Sequence, residues 1–140
     1  MACVTLALLT PLAVHPADSE PFSFKLIVHP ATEGGRLPRE VVSSIFLGQV
    51  TAWGDGSPIK VLDRSLTSPL RVAFGNRILG MTTLEVGQYW RRQMARGKVP
   101  PSIQESEDAV LAFVASNPGS IAYVAVETPT PPTVKIVEID

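Results

Sequence analysis

Cysteine is almost absent from this chain, and several kinds of site are excluded as a result. The one cysteine, Cys3, lies in an apolar stretch near the start of the sequence, so a processed chain would carry no thiol. Redox chemistry through paired thiols and cysteine-ligated zinc are therefore excluded. A chain of 140 residues can bury enough surface to form one compact domain without disulfides or metals. We expect neither a metal nor a cofactor.

Positive charge and aromatic side chains are also scarce. The net charge is -1 and only 6% of the residues are aromatic. A non-specific nucleic-acid binder needs a continuous basic face with interleaved aromatic residues. The densest basic group, Arg91, Arg92, Arg96 and Lys98, lies on one predicted helix and is interpreted as a solvated helix face. We therefore expect no nucleic-acid partner.

Catalytic motifs are absent from the sequence as well. His29 is the only histidine outside residues 1–17, and no second histidine or carboxylate is placed to make it a base or a metal ligand. Triad chemistry needs a base beside a nucleophile. The sequence also has no glycine-rich phosphate loop with a lysine and no dinucleotide-binding fingerprint. We therefore expect that the protein is not an enzyme.

No apolar run is long enough to span a membrane. The longest, Ala2 to Val14, is interrupted by polar residues and proline. Residues 1–17 are predicted to be a secretory leader, and a start codon inside a longer leader would explain why no basic segment precedes the run. A buried N-terminal helix or strand is the alternative. The leader predicts a periplasmic protein with a single domain over residues 22–140, which is not an integral membrane protein.

Strand-like and helix-like segments alternate after Phe22, which predicts an α/β domain with a mixed sheet flanked by helices. Phe24–His29 and Ser120–Val126 have the apolar runs of buried strands. Thr133–Ile139 is predicted to be a final strand, either at a sheet edge or paired with a partner. Helices are predicted to begin near Pro38, Ser68, Thr82 and Glu105.

The segment from Arg64 to Ser68 is the candidate binding site. A strand over Ile59–Leu62 is expected to deliver Arg64 to its carboxyl end, and Ser68 and Pro69 have the residue types that begin a helix. The first turn of a helix leaves backbone N–H groups unpaired, and the helix dipole adds positive potential there. We expect an anion to bind at this helix start, with the Arg64 guanidinium over it.

Each residue of the candidate site also has a purely structural interpretation. Thr67 and Ser68 could act only as helix caps, and Arg64 could form an ion pair. Arg71, one turn into the helix, is more often solvated than functional at such a position. Trp53 is expected to pack beneath the turn formed by Asp55 and Gly56.

Four segments follow one another along the chain: Ile45-Phe46-Leu47-Gly48, Trp53-Gly54-Asp55-Gly56-Ser57-Pro58, Arg64-Ser65, and Asn117-Pro118-Gly119-Ser120-Ile121. In this order they resemble the phosphate-type substrate-binding proteins of ABC transporters. The resemblance covers about Phe24 to Val126.

This resemblance implies one lobe of a type II periplasmic binding-protein fold, a family that closes on an oxyanion between two lobes. In that family an Arg-Ser-Asp-Gly-Ser-Gly-Thr type segment supplies groups to the ligand. Here Leu66 stands at the aspartate position, Leu70 at the threonine position, and Pro69 removes one backbone N–H. The predicted anion-binding residues are Arg64, Ser65, Thr67 and Ser68.

Two functions from different classes are compatible with these observations. The first is an exported binding protein for phosphate or another small oxyanion, associated with ABC-type phosphate transport or sensing and so with a membrane transporter or sensor complex. The alternative is a ligand-free interaction module of the cell envelope. Leu66, Pro69 and Leu70, which replace polar ligand groups with apolar side chains, favour that alternative.

Overall fold

A computed structural model describes residues 23–140. The predicted leader over residues 1–17 lies outside the described residues. The strands are β1 (Phe24–Val28), β2 (Arg36–Leu37), β3 (Lys60–Arg64), β4 (Ser102–Gln104), β5 (Ser120–Ala125) and β6 (Lys135–Ile139). The helices are α1 (Arg39–Phe46), α2 (Pro69–Phe74), α3 (Thr83–Met94) and α4 (Glu107–Ser116). Helix α2 runs directly into a π-helical turn over Gly75–Leu79.

The strands form one mixed sheet with the order β2-β6-β1-β5-β3-β4. Strand β1 is antiparallel to both of its neighbours, β5 and β6. Strands β5, β3 and β4 run parallel to one another. The carboxyl ends of these three strands therefore lie at the same edge of the sheet, and the loops that follow them converge there. Loops at such an edge are the usual position of ligand sites in α/β sheets.

Each face of the sheet has its own hydrophobic core, because successive side chains of a strand point to opposite faces. Leu26, Ile121 and Tyr123 pack with residues of α1, α2, the π-helical turn and α3. Ile27 and Ala122 pack with α4 on the other face. Strand β5 is buried over nearly its whole length. The predicted α/β architecture, with helices on both sides of a mixed sheet, is confirmed.

The helix boundaries lie close to the residues in the sequence that typically begin or end a helix. Helix α1 begins after Pro38 and ends before Gly48, whose φ of +69° is the left-handed conformation that glycine tolerates. A Cβ atom at Gly48 would also lie 2.9 Å from the Trp90 ring. At the start of α3, the Thr82 hydroxyl accepts a hydrogen bond from the backbone of Glu85. Most predicted helix starts and ends are therefore correct within a residue or two.

Three parts of the sheet and helix pattern differ from the predictions. Strand β6 lies between β2 and β1, so it is not an edge strand. The short strands β2 and β4 form the two edges, and neither was predicted. Met94, which its helical spacing from Trp90 predicts to lie on the apolar face of the helix, is 50% exposed because α3 ends there. Among the helices within residues 23–140, none has the length and apolar character needed to cross a membrane.

Candidate functional site

The loop between β3 and α2 carries the predicted anion-binding residues at the carboxyl edge of the sheet. Ser68 has the extended backbone of an N-cap residue and Pro69 is the first helical residue, as predicted. The Ser68 side chain accepts no hydrogen bond from the helix, however. Thr82 and Ser106 do cap the starts of α3 and α4, whereas α1, like α2, has no side-chain cap. The first-turn amides of α2 are therefore left without a side-chain acceptor.

Hydroxyl groups organise this loop from within. The Oγ atom of Ser65 lies 3.0 Å from Oγ1 of Thr67. The backbone N–H of Ser68 donates to the carbonyl oxygen of Ser65 over 2.9 Å. Thr67 is exposed, while Ser65 and Ser68 are half-buried. The structure thus brings these three hydroxyl-bearing residues together in one turn that faces solvent.

Arg64 points away from this turn, toward the beginning of α4. Its Nη2 donates to the carbonyl oxygen of Glu105 over 3.3 Å, and its Nη1 lies 3.8 Å from Oε1 of Glu107. The guanidinium therefore does not lie over the start of α2, where it was expected. It forms an ion pair instead, which was the structural alternative. The Nε atom is buried and has no hydrogen-bond partner among the described residues. Since the contact with Glu107 is longer than a hydrogen bond, the guanidinium keeps unused donors.

Glu107 connects Arg64 to the end of β5. One carboxylate oxygen accepts the backbone N–H of Ala125 over 2.8 Å, and the other accepts the hydroxyl of Thr128. Glu107 is also the first residue of α4, where a negative charge interacts favourably with the helix dipole. The carboxyl ends of β3 and β5 and the start of α4 are therefore held together by one carboxylate.

Directly behind the loop lies a buried ionic cluster that sequence reasoning missed. Arg71 was expected to be solvated, but only 1% of it is exposed. Its Nε lies 3.5 Å from Oδ2 of Asp63. The other oxygen of Asp63 accepts hydrogen bonds from the Tyr123 hydroxyl and from the backbone N–H of Arg64. Asp63 supplies the counter-charge that allows an arginine to be buried at this position.

The surroundings of Tyr123 determine its protonation. Burial raises the pKa of the phenol far above its ordinary value, and the negative charge of Asp63 raises the pKa further. The ring of Phe74 stacks on that of Tyr123 with centroids 4.1 Å apart. Arg71 still has two buried nitrogen atoms, Nε and Nη1, without a hydrogen-bond acceptor among the described residues. This cluster rigidly joins β3, α2 and β5 behind the candidate site.

Little in the sequence signals this cluster. Asp63 and Arg71 belong to a strand and to the helix that follows it, and their contact depends on how that helix crosses the sheet. Helical spacing alone places Arg71 one turn into α2 without saying which face is covered. Tyr123 is recognisable only as one residue of a buried strand.

Two other residues considered from the sequence have structural contacts. The Trp53 Nε1 donates to the carbonyl oxygen of Gly119 over 3.0 Å, and the ring packs against the core, in keeping with its expected packing role. The Nδ1 of His29 accepts the backbone N–H of Ala31. Across residues 23–140, no group of histidine, cysteine, aspartate or glutamate side chains is arranged to hold a metal ion.

Comparison with known proteins identifies similar structures but no similar sequence family. No family model and no curated protein matches the chain. An ABC-type phosphate transport receptor from Vibrio cholerae is 20% identical, with a TM-score of 0.67 over 84% of this chain and 46% of the receptor. A putative phosphate ABC transporter substrate-binding protein with bound phosphate, from Clostridium perfringens, is 23% identical, with a TM-score of 0.68 over 85% of this chain and 45% of that protein.

A third structure, PstS from Borrelia burgdorferi, gives the same result. It is 16% identical, with a TM-score of 0.69 over 85% of this chain and 47% of PstS. The chain thus spans less than half the length of each of these proteins. At such identities the likeness concerns the fold alone. The fold expected from the resemblance, a single lobe of this class of binding protein, is confirmed.

Proposed function

We propose that this protein binds phosphate or a related small oxyanion at the loop between β3 and α2. One observation carries the proposal: the chain has the fold of an ABC-type phosphate transport receptor and of a putative phosphate ABC transporter substrate-binding protein with bound phosphate. The chain also has Arg64 and three hydroxyl-bearing residues at the carboxyl edge of its parallel strands. We further propose that it acts as an exported, periplasmic component of ABC-type phosphate transport or sensing.

The chemistry of the loop supports this proposal. The amides of Leu70 and Arg71 belong to the first turn of α2, and no side chain caps that turn. The hydroxyls of Ser65 and Thr67 lie beside each other and can donate to an oxyanion. A phosphate at this position would interact favourably with the positive end of a helix that continues through the π-helical turn to Leu79.

Modest affinity is expected for this site. A pocket that removes water from phosphate must replace each lost hydrogen bond, because an unsatisfied oxygen costs free energy. Thr67 and Leu66 are exposed, so a bound anion would keep part of its hydration on the side facing solvent. Interactions between exposed charges are also screened by salt. Binding should therefore weaken as ionic strength rises.

Calorimetric titration with phosphate and with sulfate tests the proposal. The unaltered protein should give saturable heat with at least one of these anions. A variant that combines Ser65→Ala with Thr67→Val should bind the same anion about tenfold more weakly, since two donors to a charged group are removed. Thr133→Val, which removes an exposed hydroxyl in the loop before β6, serves as the matched control. Absence of heat with both anions would contradict the proposal.

The alternative of a ligand-free interaction module has less support than the sequence suggested. Leu66 is 47% exposed, but Leu70 is only 7% exposed and belongs to the hydrophobic core. Pro69 is exposed as well, so two of the three apolar side chains that favoured this alternative lie at the surface and the third does not. The structural comparisons do not favour this alternative either.

A further inference from the structure

A second surface, remote from the β3–α2 loop, combines an apolar groove with basic side chains. We call it the Trp90 groove. Its volume is about 430 Å³. It lies near the amino ends of β3 and β4, whereas the candidate anion site lies at their carboxyl ends. Its walls include Ile45, Val50, Trp90, Val99, Pro100 and Phe113.

The charged side chains around this groove all have the same sign. Lys60 lines the groove itself, and Lys98 lines a smaller cavity that shares Trp90 and Val99 with it. None of the lining residues of either cavity is acidic. The stretch over residues 86–104, which contains Trp90, includes no aspartate or glutamate although the whole chain has a net charge of -1. The basic residues of that stretch are Arg91, Arg92, Arg96 and Lys98.

These basic residues differ from most others in the described part of the chain. All four are exposed, and none forms a hydrogen bond or ion pair through its side chain within residues 23–140. Elsewhere the basic side chains generally have partners. The guanidinium of Arg77 lies 5.7 Å from the centre of the Phe24 ring, and hydrogen bonds or ion pairs are formed by Lys25, Arg36, Arg64, Arg71 and Lys135. The cations near the Trp90 groove are therefore available to an external anionic group.

Exposed apolar side chains occur close to these cations in the sequence. Val99 is 85% exposed, and Leu84 and Met94 on α3 are 71% and 50% exposed. Protruding apolar side chains among lysines and arginines are typical of segments that lie in a membrane interface. The groove beside them offers an apolar surface that could accommodate part of an acyl chain. A purely acidic protein partner would use the cations but would leave these protruding side chains without apolar contacts.

We infer that the Trp90 groove and its basic surroundings dock this protein on an anionic phospholipid surface. The lysine and arginine side chains contact lipid phosphates, while Val99 and Met94 enter the interface. A lysine or arginine close to an anionic membrane contributes enough to change binding about fivefold. The four cations together would therefore give reversible peripheral attachment. This inference does not depend on oxyanion binding at the β3–α2 loop.

Vesicle co-sedimentation of the full chain tests the inference. The vesicles contain either neutral phosphatidylcholine alone or a mixture with phosphatidylglycerol. The measured quantity is the ratio of the two affinities, so that any charge-independent attachment through the apolar N-terminal stretch cancels. The unaltered protein should prefer the anionic vesicles, and added salt should reduce that preference. Equal binding to both kinds of vesicle would overturn the inference.

One variant and one control identify the surface. Lys98→Glu should weaken binding to anionic vesicles about 25-fold, because it removes an attractive charge and adds a repulsive one, each of which changes binding about fivefold. Arg39→Glu changes charge by the same amount on α1 and should alter binding less than about twofold, since Arg39 lies outside the basic stretch. Equal effects of the two substitutions would contradict docking through the Trp90 groove.

The apolar contribution separates a lipid surface from an acidic protein. Val99→Ser should weaken binding to anionic vesicles several-fold while leaving binding to soluble poly-glutamate unchanged. An unchanged affinity of Val99→Ser for vesicles would mean that the surface recognises charge alone, and the lipid assignment would fail. Inorganic phosphate, added at constant ionic strength, should leave vesicle binding unchanged. Competition by phosphate would assign the vesicle contact to the oxyanion site and would also overturn the inference.

Discussion

Arg71 places its Nε 3.5 Å from Oδ2 of Asp63, and the two side chains are only 2% and 9% exposed. Removing one member of a buried ion pair leaves the other charge without compensation. Arg71→Met and Asp63→Asn are each expected to lower the free energy of unfolding by about 3–5 kcal/mol, measured by urea denaturation. Both substitutions nearly preserve side-chain volume, so the loss would reflect charge rather than packing.

The exposed pair between Arg36 and Glu138 provides the control for this prediction. Its N–O distance is 2.6 Å, shorter than that of the buried pair, but its side chains are 62% and 69% exposed. Exposed ion pairs contribute about 1 kcal/mol or less. Glu138→Gln should therefore have a much smaller effect than Asp63→Asn. Similar losses for the two substitutions would show that Asp63 does not support the fold through its charge.

Tyr123 should make the protein sensitive to alkaline pH. Burial, followed by the charge of Asp63, raises the pKa of the phenol in the folded state above the ordinary value of 10.0. The unfolded chain therefore releases this proton at a lower pH than the folded chain does. The stabilisation is complete below the unfolded pKa and is lost as pH rises above about 10.

Tyr123→Phe removes this titrating group and the hydrogen bond to Asp63. The variant should be less stable near neutral pH but should lose less stability than the parent between neutral pH and about pH 11. Urea denaturation at several pH values measures both quantities. Parallel curves for the parent and the variant would contradict the assigned environment of Tyr123.

Gly119 should tolerate alanine poorly because of close packing. Gly119 and Gly34 both have positive φ angles, +86° and +88°, so alanine is strained at either position. A Cβ at Gly119 would lie 2.6 Å from the carbonyl oxygen of Pro58, whereas Gly34 has open space. Gly119→Ala is expected to cost about 1–3 kcal/mol more than Gly34→Ala in thermal or urea unfolding. Equal costs would show that only backbone strain matters.

Glu107 is expected to limit the affinity of the candidate site for anions. Its carboxylate lies 3.8 Å from Arg64 and competes with an added anion for the guanidinium. Glu107→Gln removes that charge and retains an oxygen to accept the backbone N–H of Ala125. We expect phosphate binding to become several-fold tighter by calorimetry, because repulsion between like charges is relieved.

Asp108→Asn is the matched control, since Asp108 carries the same charge on the same helix turn without a contact to Arg64. That substitution should change phosphate affinity only slightly, because the Asp108 carboxylate acts on the bound anion only through long-range electrostatics. A weaker affinity of Glu107→Gln would indicate that the carboxylate positions Arg64 for the anion instead of competing with it.

Much of the fold was predictable because local signals agree with the tertiary structure. Pro38 and Gly48 bound α1, and Ser68 with Pro69 marks the start of α2. The continuous apolar run of β5 predicted a strand covered on both faces, and the structure buries it in that way. The edge strands β2 and β4 were missed because they contain two and three residues, too few to show alternation.

The candidate site was only partly predictable. The turn that gathers Ser65, Thr67 and Ser68 follows from the strand–helix junction, which the sequence marks clearly. The direction of the Arg64 side chain does not follow from that junction, because it depends on Glu107, at the start of a helix that is distant in the sequence. Burial of Arg71 likewise depends on a tertiary contact with Asp63, and an arginine at helical spacing normally indicates a solvated face.

The most direct measurement of the oxyanion proposal is a phosphate titration followed through the backbone amide signals by NMR. Binding at the start of α2 should produce the largest shift changes at residues 65–71, where hydroxyls and first-turn amides meet. Those changes should saturate, and they should be much reduced in the variant that combines Ser65→Ala with Thr67→Val. Changes that are largest elsewhere, or an unchanged spectrum at high phosphate concentration, would contradict the proposal.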